Sequence, residues 1–99
     1  MAEMTRDEWR AFLTEPVRTA KLATVRADGR PHVAPIWFAL DDDDTIVFMT
    51  GASSVKGRSI LAEPRVALCV DDDRPPFSYV LVEGRAEIVD DAEALLFWA

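Results

Sequence analysis

The chain opens on a helical pattern of apolar residues. Thr5 and Glu8 have the spacing of a capping box, in which a hydroxyl and a carboxylate three residues apart satisfy the first N–H groups of a helix. The apolar residues that follow at helical spacing are Trp9, Phe12 and Leu13. This pattern predicts a short amphipathic helix that ends near Pro16.

From Thr19 onward the apolar residues alternate with polar ones, which is typical of half-buried strands. The segments TAKLATVR and PHVAPIWFAL flank the turn signal Asp28-Gly29 and are predicted to form a hairpin. Pro31 and Pro35 cannot donate a backbone hydrogen bond, so the second of these strands is expected to have an edge or a bulge near Pro35.

Three further segments are predicted to be strands, which makes five in all. They are TIVFMT, RVALCV and SYVLVEGRAEIV, and a bulge is expected at Gly84 in the last of them. Trp37 and Phe38 are adjacent, so on a strand their side chains should lie on opposite faces. A second helix is predicted over about 54–61, because Ser53 or Ser54 can cap its start and Pro64 follows its end.

The segment that starts at Asp90 is predicted to open a last helix, AEALLFWA, whose apolar pattern is unfinished at Ala99. We expect that helix to continue in a C-terminal segment beyond this chain. Short helices among hairpin-linked strands predict a single domain over 1–99, mostly β, with the architecture of a small antiparallel barrel.

Charge and cysteine content narrow the class of protein. The chain has 18 acidic and 11 basic residues and a net charge of −7, which argues against nucleic acid or an anionic membrane as the main partner. No apolar run approaches the roughly 20 residues of a membrane span, and the N-terminus lacks the apolar core of a signal peptide. The single cysteine, Cys69, cannot form an internal disulfide. We therefore expect a cytoplasmic protein.

One window of this acidic chain contains no acid. Between Thr45 and Ala62 there is no Asp or Glu, and the start of the second predicted helix carries small, hydroxyl and cationic residues. These residues are Gly51, Ser53, Ser54, Lys56 and Arg58. A helix N-terminus with added cations favours a phosphate, although the spacing is not that of a Walker A loop. The same residues would also suit a capped surface helix, and the pattern leaves both interpretations open.

The other chemically capable residues show no catalytic pattern. His32 has no motif partner and is expected at the surface, and Cys69 lies in an apolar run and is expected in the core. The acidic runs 41–44 and 71–73 lack calcium-loop spacing and are expected to be solvated turns. No nucleophile–base pair is evident, so we predict no catalytic side chain and no metal site. Any reactive chemistry should belong to a cofactor.

Two long segments resemble a known family. KLATVRADGRPHVAPIWF and TIVFMTGASSVKGRSILAEPRVALCVDDDRPPFSYVLVEGRAEI are similar to the pyridoxamine 5'-phosphate oxidase-like flavoproteins, which have the FMN-binding split β-barrel fold. They look closest to the branch that uses coenzyme F420, a deazaflavin. The resemblance covers nearly the whole chain after Phe12. It implies a split β-barrel homodimer with two cofactors in clefts between subunits, and hydride transfer to an unsaturated small-molecule acceptor.

The resemblance also assigns cofactor-binding positions and favours the phosphate interpretation of the acid-free window. The positions implied to hold the cofactor phosphate are Thr50, Gly51, Ser53, Ser54, Val55, Lys56 and Arg58. The positions implied to lie along the ring are Pro35, Ile36 and Trp37, with Phe77, Ser78 and Tyr79 approaching from the neighbouring subunit. Relatives commonly have Asn where this chain has Ser59, and some have Arg where it has Ser54. Two alternatives stay open: an FMN-dependent flavoprotein of the same fold, and a non-catalytic cofactor-binding dimer.

Overall fold

The computed structural model describes residues 3–51, 53–89 and 93–98. Within them, two helices accompany seven strands. In chain order the elements are α1 (Arg6–Thr14), β1 (Ala20–Val25), β2 (Pro31–Ile36), β3 (Phe38–Leu40), β4 (Ile46–Met49), α2 (Val55–Ala62), β5 (Arg65–Asp71), β6 (Tyr79–Ile88) and β7 (Glu93–Trp98).

The strands form one sheet in the order β2-β1-β5-β6-β7-β4-β3, and every neighbouring pair is antiparallel. The two edge strands, β2 and β3, are joined by the single residue Trp37. Flat strands at about 4.8 Å spacing would put those edges about 29 Å apart, whereas a one-residue link spans only about 7 Å. The sheet must therefore curl until its edges meet, as the prediction of an antiparallel barrel requires.

Helix α1 begins at the predicted capping box. The Thr5 hydroxyl accepts a hydrogen bond from the Glu8 N–H at 3.2 Å, and the Glu8 carboxylate accepts one from the Thr5 N–H at 3.0 Å. Arg6 and Arg10 tie the helix to the β3–β4 turn through the carboxylate of Asp44, with Arg6 Nε 3.0 Å from Asp44 Oδ2. Asp44, the last residue of the run 41–44, therefore anchors α1, and the prediction of a simple solvated turn was wrong for this residue.

The core lies on the concave face of the sheet, with both helices packed against it. The largest side chains that are almost fully buried are those of Phe48, Leu22, Ile46, Leu68 and Leu96. Ile60 brings α2 into the same cluster, and Leu13 does so for α1. Because β1, β5 and β6 each bury alternate residues, their other residues face away from the core.

The predicted C-terminal helix was wrong. Glu93–Trp98 is a strand, β7, that pairs with β6 on one side and with β4 on the other. Ala94 and Leu96 are buried and Leu95 between them is only half-buried, which is the period of a strand. Pairing on both sides satisfies the backbone of this segment and outweighs its local helical preference. The predicted start of the helix, at 90–92, lies outside the described residues.

Two details of the predicted strands also differ. The segment PHVAPIWFAL is two strands that separate at Trp37, and the first of them, β2, is an edge strand, which confirms the edge expected near Pro35. Trp37 is exposed and Phe38 packs against the core, on opposite sides as predicted. Gly84 pairs with Val66 and with Trp98 in unbroken register, so the predicted bulge at Gly84 was wrong.

An ion pair at the junction between α2 and β5 leads us to expect that the protein loses stability in acid. Arg65 donates to Glu63 through its side chain, with Nε 3.0 Å from Oε1, and through its backbone N–H, and this lowers the Glu63 pKa to about 2. The Arg6 hydrogen bond likewise lowers the pKa of Asp44. Folding lowers both pKa values, so the ionised carboxylates stabilise the fold fully at pH values above the ordinary carboxylate pKa. This stabilisation is lost as the pH falls toward about 2.

We expect the melting temperature to be flat from pH 7 to about pH 5 and to fall below it. Glu63→Gln should lower the melting temperature at pH 7 and flatten the decline in acid. Glu3→Gln, which alters an exposed carboxylate that makes no ion pair with any described residue, is the matched control. An acid decline that Glu63→Gln leaves unchanged would contradict this account.

Candidate functional site

The start of helix α2 is shaped by Ser54. Its hydroxyl accepts from the Gly57 N–H at 3.1 Å, donates to the Gly51 carbonyl at 2.6 Å and lies 3.2 Å from the hydroxyl of buried Thr50. These contacts hold the loop after β4 against the helix start. A helix leaves its first N–H groups without an intrahelical acceptor, and those of Val55 and Lys56 belong to this first turn. The Ser54 contacts therefore hold Gly51 next to this first turn of α2.

Space is available where a ligand would approach this turn. Gly51 is exposed, and a methyl group built on it would meet nothing within 4 Å. Ser53 is also exposed. Lys56 is half-buried and forms no ion pair with any residue that the structure describes. An uncompensated ammonium beside a helix N-terminus is a favourable environment for an anion.

Arg58 does not join this group. Residues two apart on a helix point roughly 160° away from each other, so Lys56 and Arg58 lie on different sides of α2. Arg58 instead lines a cavity shared with Val55 and Ser59, and the predicted phosphate-binding set therefore divides into two parts.

The predicted ring-binding residues lie at the junction of β2 and β3. Phe38 of β3 pairs with Phe48 of β4, so Trp37 and Met49 lie just beyond the same end of this strand pair. Thr50 and Gly51 follow Met49 in the chain. Trp37 is 66% exposed and Met49 is 63% exposed, which leaves two large apolar side chains uncovered beside the start of the α2 loop. Pro35 is also exposed, and Ile36 faces the core, so that only its backbone is available to a ligand.

Phe77 is separated from this group within one chain. It precedes β6, and two strands, β1 and β5, lie between β6 and β2, a distance of about 14 Å across the sheet. Phe77 is 61% exposed and has φ of 62°, a left-handed conformation that is uncommon for a bulky residue. Tyr79 is exposed at the same end of the sheet. The approach of Phe77, Ser78 and Tyr79 to a ring therefore stays a prediction that needs a second subunit.

The cavity that Arg58 lines lies between α2 and the tip of the β1–β2 hairpin. We call it the hairpin pocket; its volume is about 320 Å³, and its lining residues are Arg26, Ala27, Asp28, Arg30, Val55, Arg58 and Ser59. Gly29, at φ of 90°, allows the tight turn that the Asp-Gly signal predicted. Arg26 and Arg30 are opposite each other across the hairpin, with the Arg26 N–H 2.9 Å from the Arg30 carbonyl.

The concave face of the hairpin behind this pocket holds unsatisfied polar atoms. Thr24 pairs with His32, one step along the same face from Arg26 and Arg30. Among the described residues, three buried side-chain atoms have no hydrogen-bond partner, and all three are here: Thr24 Oγ1, Arg26 Nε and His32 Nδ1. The prediction that His32 has an outward surface position was therefore wrong. Sequence patterns missed Thr24, Arg26 and Arg30, although arginines flanking a three-residue turn are a visible signal of cross-hairpin neighbours.

Removing the Thr24 hydroxyl is expected to stabilise the protein. Thr24 is 1% exposed, and a buried hydroxyl without a partner costs about 1–3 kcal/mol. Thr24→Val keeps the shape and removes that cost, so the melting temperature should rise by several degrees. Ser59→Ala is the contrasting variant: the Ser59 hydroxyl donates to the Val55 carbonyl at 2.7 Å, so no gain is expected there. A fall in melting temperature for Thr24→Val would show that the hydroxyl has a protein partner.

Comparison with known proteins identifies the family. The family model described as pyridoxamine 5'-phosphate oxidase matches residues 5–98. The chain belongs to the pyridoxamine 5'-phosphate oxidase family. It is 40% identical over 91 residues to a pyridoxine/pyridoxamine 5'-phosphate oxidase of Rhizobium johnstonii, an alignment that includes 88% of this chain and 44% of the relative. The chain thus spans less than half the length of the curated relatives it matches.

Solved structures of similar proteins confirm the split β-barrel. An F420 reductase matches with a TM-score of 0.77 and 26% identity, over 90% of this chain and 92% of that one. A conserved hypothetical protein from Mycobacterium tuberculosis matches with a TM-score of 0.77 and 36% identity, over 89% of this chain and 55% of that one. The resemblance to this family and the predicted fold class are both confirmed.

Cys69 is not a core residue of this family member. It is half-buried on the face of β5 that points away from the core, between Lys21 of β1 and Leu81 of β6. Burial raises the pKa of its thiol, and the nearby Asp71 raises it further. The thiol therefore lacks the character of a reactive thiolate.

The described residues contain neither a metal-binding cluster nor a membrane-spanning helix. In that part of the chain, no three His, Cys, Asp or Glu side chains are grouped so as to hold a metal ion. Neither of the two helices found there has the length and apolar composition that crossing a bilayer requires.

Proposed function

We propose that this chain binds coenzyme F420 and takes part, as a homodimer, in hydride transfer to an unsaturated small-molecule acceptor. The observation that carries the proposal is the start of α2, where Lys56 has no ion-pair partner in the described chain and exposed Gly51 leaves room for a phosphate. The likeness to an F420 reductase over nine-tenths of the chain supports this choice of cofactor.

The residues at the α2 start fit a phosphate group. The Ser54 hydroxyl is already committed to Gly51 and Gly57, so it would shape the site, and the contacts to the anion would come from Lys56 and from first-turn N–H groups. Hydrogen bonds in which one partner is charged are stronger than neutral ones. The absence of Asp and Glu between Thr45 and Ala62 removes local repulsion.

The junction of β2 and β3 fits a flat aromatic ring. Trp37 and Met49 offer exposed apolar surface there, and Pro35 and Ile36 belong to an edge strand that pairs on one side only among the described residues. When bound, the deazaflavin would supply the hydride. The residues of this chain would position the ring and limit access of water to it.

A specific observation favours a second candidate, an FMN-dependent flavoprotein. The curated relatives at about 40% identity are named pyridoxine/pyridoxamine 5'-phosphate oxidases, and FMN also combines a phosphate with a flat ring. The charged and apolar surfaces described above suit either cofactor.

Titration of the purified chain with F420 and with FMN, in parallel, tests the proposal. We expect F420 fluorescence to change saturably with a dissociation constant in the micromolar range, and F420 to raise the melting temperature more than FMN does. A yellow protein as purified, with tighter binding of FMN, would favour the second candidate. Binding of F420 without turnover on any acceptor would indicate a non-catalytic cofactor-binding dimer, and binding of neither would refute both.

The outward face of strands β2, β1, β5 and β6 supports the homodimer. Outward positions of an antiparallel sheet are normally polar, yet seven of these are apolar: Ala23, Val25, Val33, Ala67, Cys69, Tyr79 and Leu81. Val33 is 63% exposed and Leu81 is 53% exposed. Contiguous exposed apolar surface of this kind marks interaction sites.

Leu81→Asp is expected to convert the dimer to monomer, because a carboxylate in an apolar contact cannot be paired. Leu61→Asp introduces the same change at an exposed leucine of α2, away from this face, and should leave the dimer intact. Size-exclusion chromatography with light scattering measures both. A monomeric wild-type protein at micromolar concentration, or equal loss in the two variants, would argue against this interface.

A further inference from the structure

We propose that the hairpin pocket binds a small polyanion, a ligand that carries several carboxylate or phosphate groups. The pocket adjoins the α2 start through Val55 but lies on the side of α2 that carries Arg58, and the proposal does not depend on which cofactor the chain binds.

The charge of the pocket is the first argument. Three of its seven lining residues are arginines, and its single acid, Asp28, is already paired with Arg30 at 2.8 Å. Arg26 and Arg58 form no ion pair with any residue in the described ranges. Two uncompensated guanidinium groups around one cavity are unexpected in a chain with a net charge of −7, since acidic partners for them are plentiful.

The unsatisfied polar atoms are the second argument. Buried polar groups in folded proteins almost always have a hydrogen-bond partner, and each exception requires an explanation such as an ion or a water. All three exceptions in the described part of the chain lie on the hairpin face that adjoins this pocket, on Thr24, Arg26 and His32. Thr24 is almost completely buried, so bulk solvent does not satisfy it. Only Arg26 of the three lines the pocket, so a bound polyanion would supply an acceptor to Arg26 Nε.

The pocket also has the shape that a small polyanion needs. Its volume of about 320 Å³ is at the lower end of the range for ligand sites. Arginine guanidinium groups bind carboxylate and phosphate oxygens through two parallel hydrogen bonds, which suits a ligand with several such groups. The anionic groups could belong to a free small molecule or to the distal part of a ligand whose phosphate lies at Lys56.

Calorimetric titration of the full chain with tripolyphosphate, at about 0.15 M salt to suppress non-specific attraction, tests the site. The Arg26→Gln/Arg58→Gln double variant should bind at least tenfold more weakly than wild type. The Arg74→Gln/Arg85→Gln double variant removes the same charge from arginines outside the pocket and should bind as wild type does.

Equal weakening in the two double variants, or no binding by the wild type, would overturn the proposal. So would loss of tripolyphosphate binding in Lys56→Ala, because the anion would then lie at the α2 start. Melting curves of each variant establish that it is folded. If F420 displaces tripolyphosphate from the wild type, the site serves the anionic groups of a larger ligand; if both bind together, it serves a free polyanion.

Discussion

Lys56→Ala is expected to weaken F420 binding by about 10- to 100-fold and to leave the fold intact. Lys56 has no ion-pair partner among the described residues, so its removal breaks no contact within the chain. Hydrogen bonds to charged groups contribute about 1.5–3 kcal/mol, and each 1.4 kcal/mol is a factor of ten in affinity. Alanine also favours helix, so α2 should be at least as stable. Fluorescence titration measures the affinity, and urea unfolding measures the stability.

Arg85→Ala, which removes one positive charge from β6, is the control and should bind F420 as wild type does. Gly51→Ala adds a second test at the same site. An added methyl group would meet nothing within 4 Å in the protein, so stability should be unchanged or slightly higher. A phosphate close to this backbone would collide with that methyl group, so affinity should fall. Full affinity in both Lys56→Ala and Gly51→Ala would refute the proposed phosphate position.

Leu96→Ala is expected to reduce the free energy of unfolding by about 2–5 kcal/mol. The Leu96 side chain has no exposure, and its strand neighbours are Ile46 of β4 and Ala86 of β6. Such a loss is a large part of the free energy of unfolding of a typical domain, which is about 5–15 kcal/mol, so the variant should be partly unfolded at 37 °C.

Leu95→Ala is a matched control, since it is the same substitution one residue earlier. Leu95 is half-buried on the opposite side of β7, so its cost should be clearly smaller. Urea unfolding of both variants compares the two values directly. Equal costs would show that residues 94–96 do not alternate between core and surface, which would contradict the position of β7 in the sheet.

Local signals in the sequence predicted the parts of the fold that depend on neighbouring residues. The capping box of Thr5 and Glu8 and the Asp28-Gly29 turn act over three or four residues, and both are present in the structure. The strand β7 depends instead on pairing with residues about 10 and 50 positions earlier. Its segment, EALLFW, is compatible with a helix or a strand when considered alone, and only the two flanking strands decide between them.

The candidate site shows the same division. The acid-free window and the Ser54 cap are contiguous in the sequence, and both were identified from it. The hairpin pocket combines β1 and β2 with residues of α2 about 30 positions later, and only the packing of α2 on the hairpin brings Arg26 and Arg58 together. Arg58 was grouped with Lys56 because the two are close in sequence, and helix geometry separates them.

The one-residue link at Trp37 has a consequence for how this barrel could evolve. At that seam the chain crosses from one edge strand to the other without continuing either ladder, so main-chain groups are open to a ligand there beside the exposed side chains of Trp37 and Met49. Contacts through the main chain tolerate substitution, because every residue except proline offers the same donor and acceptor. A mutation at the seam can therefore change which substrate fits beside a bound ring without removing the main-chain contacts that hold the ring. One scaffold could in this way come to reduce new substrates through single amino-acid changes.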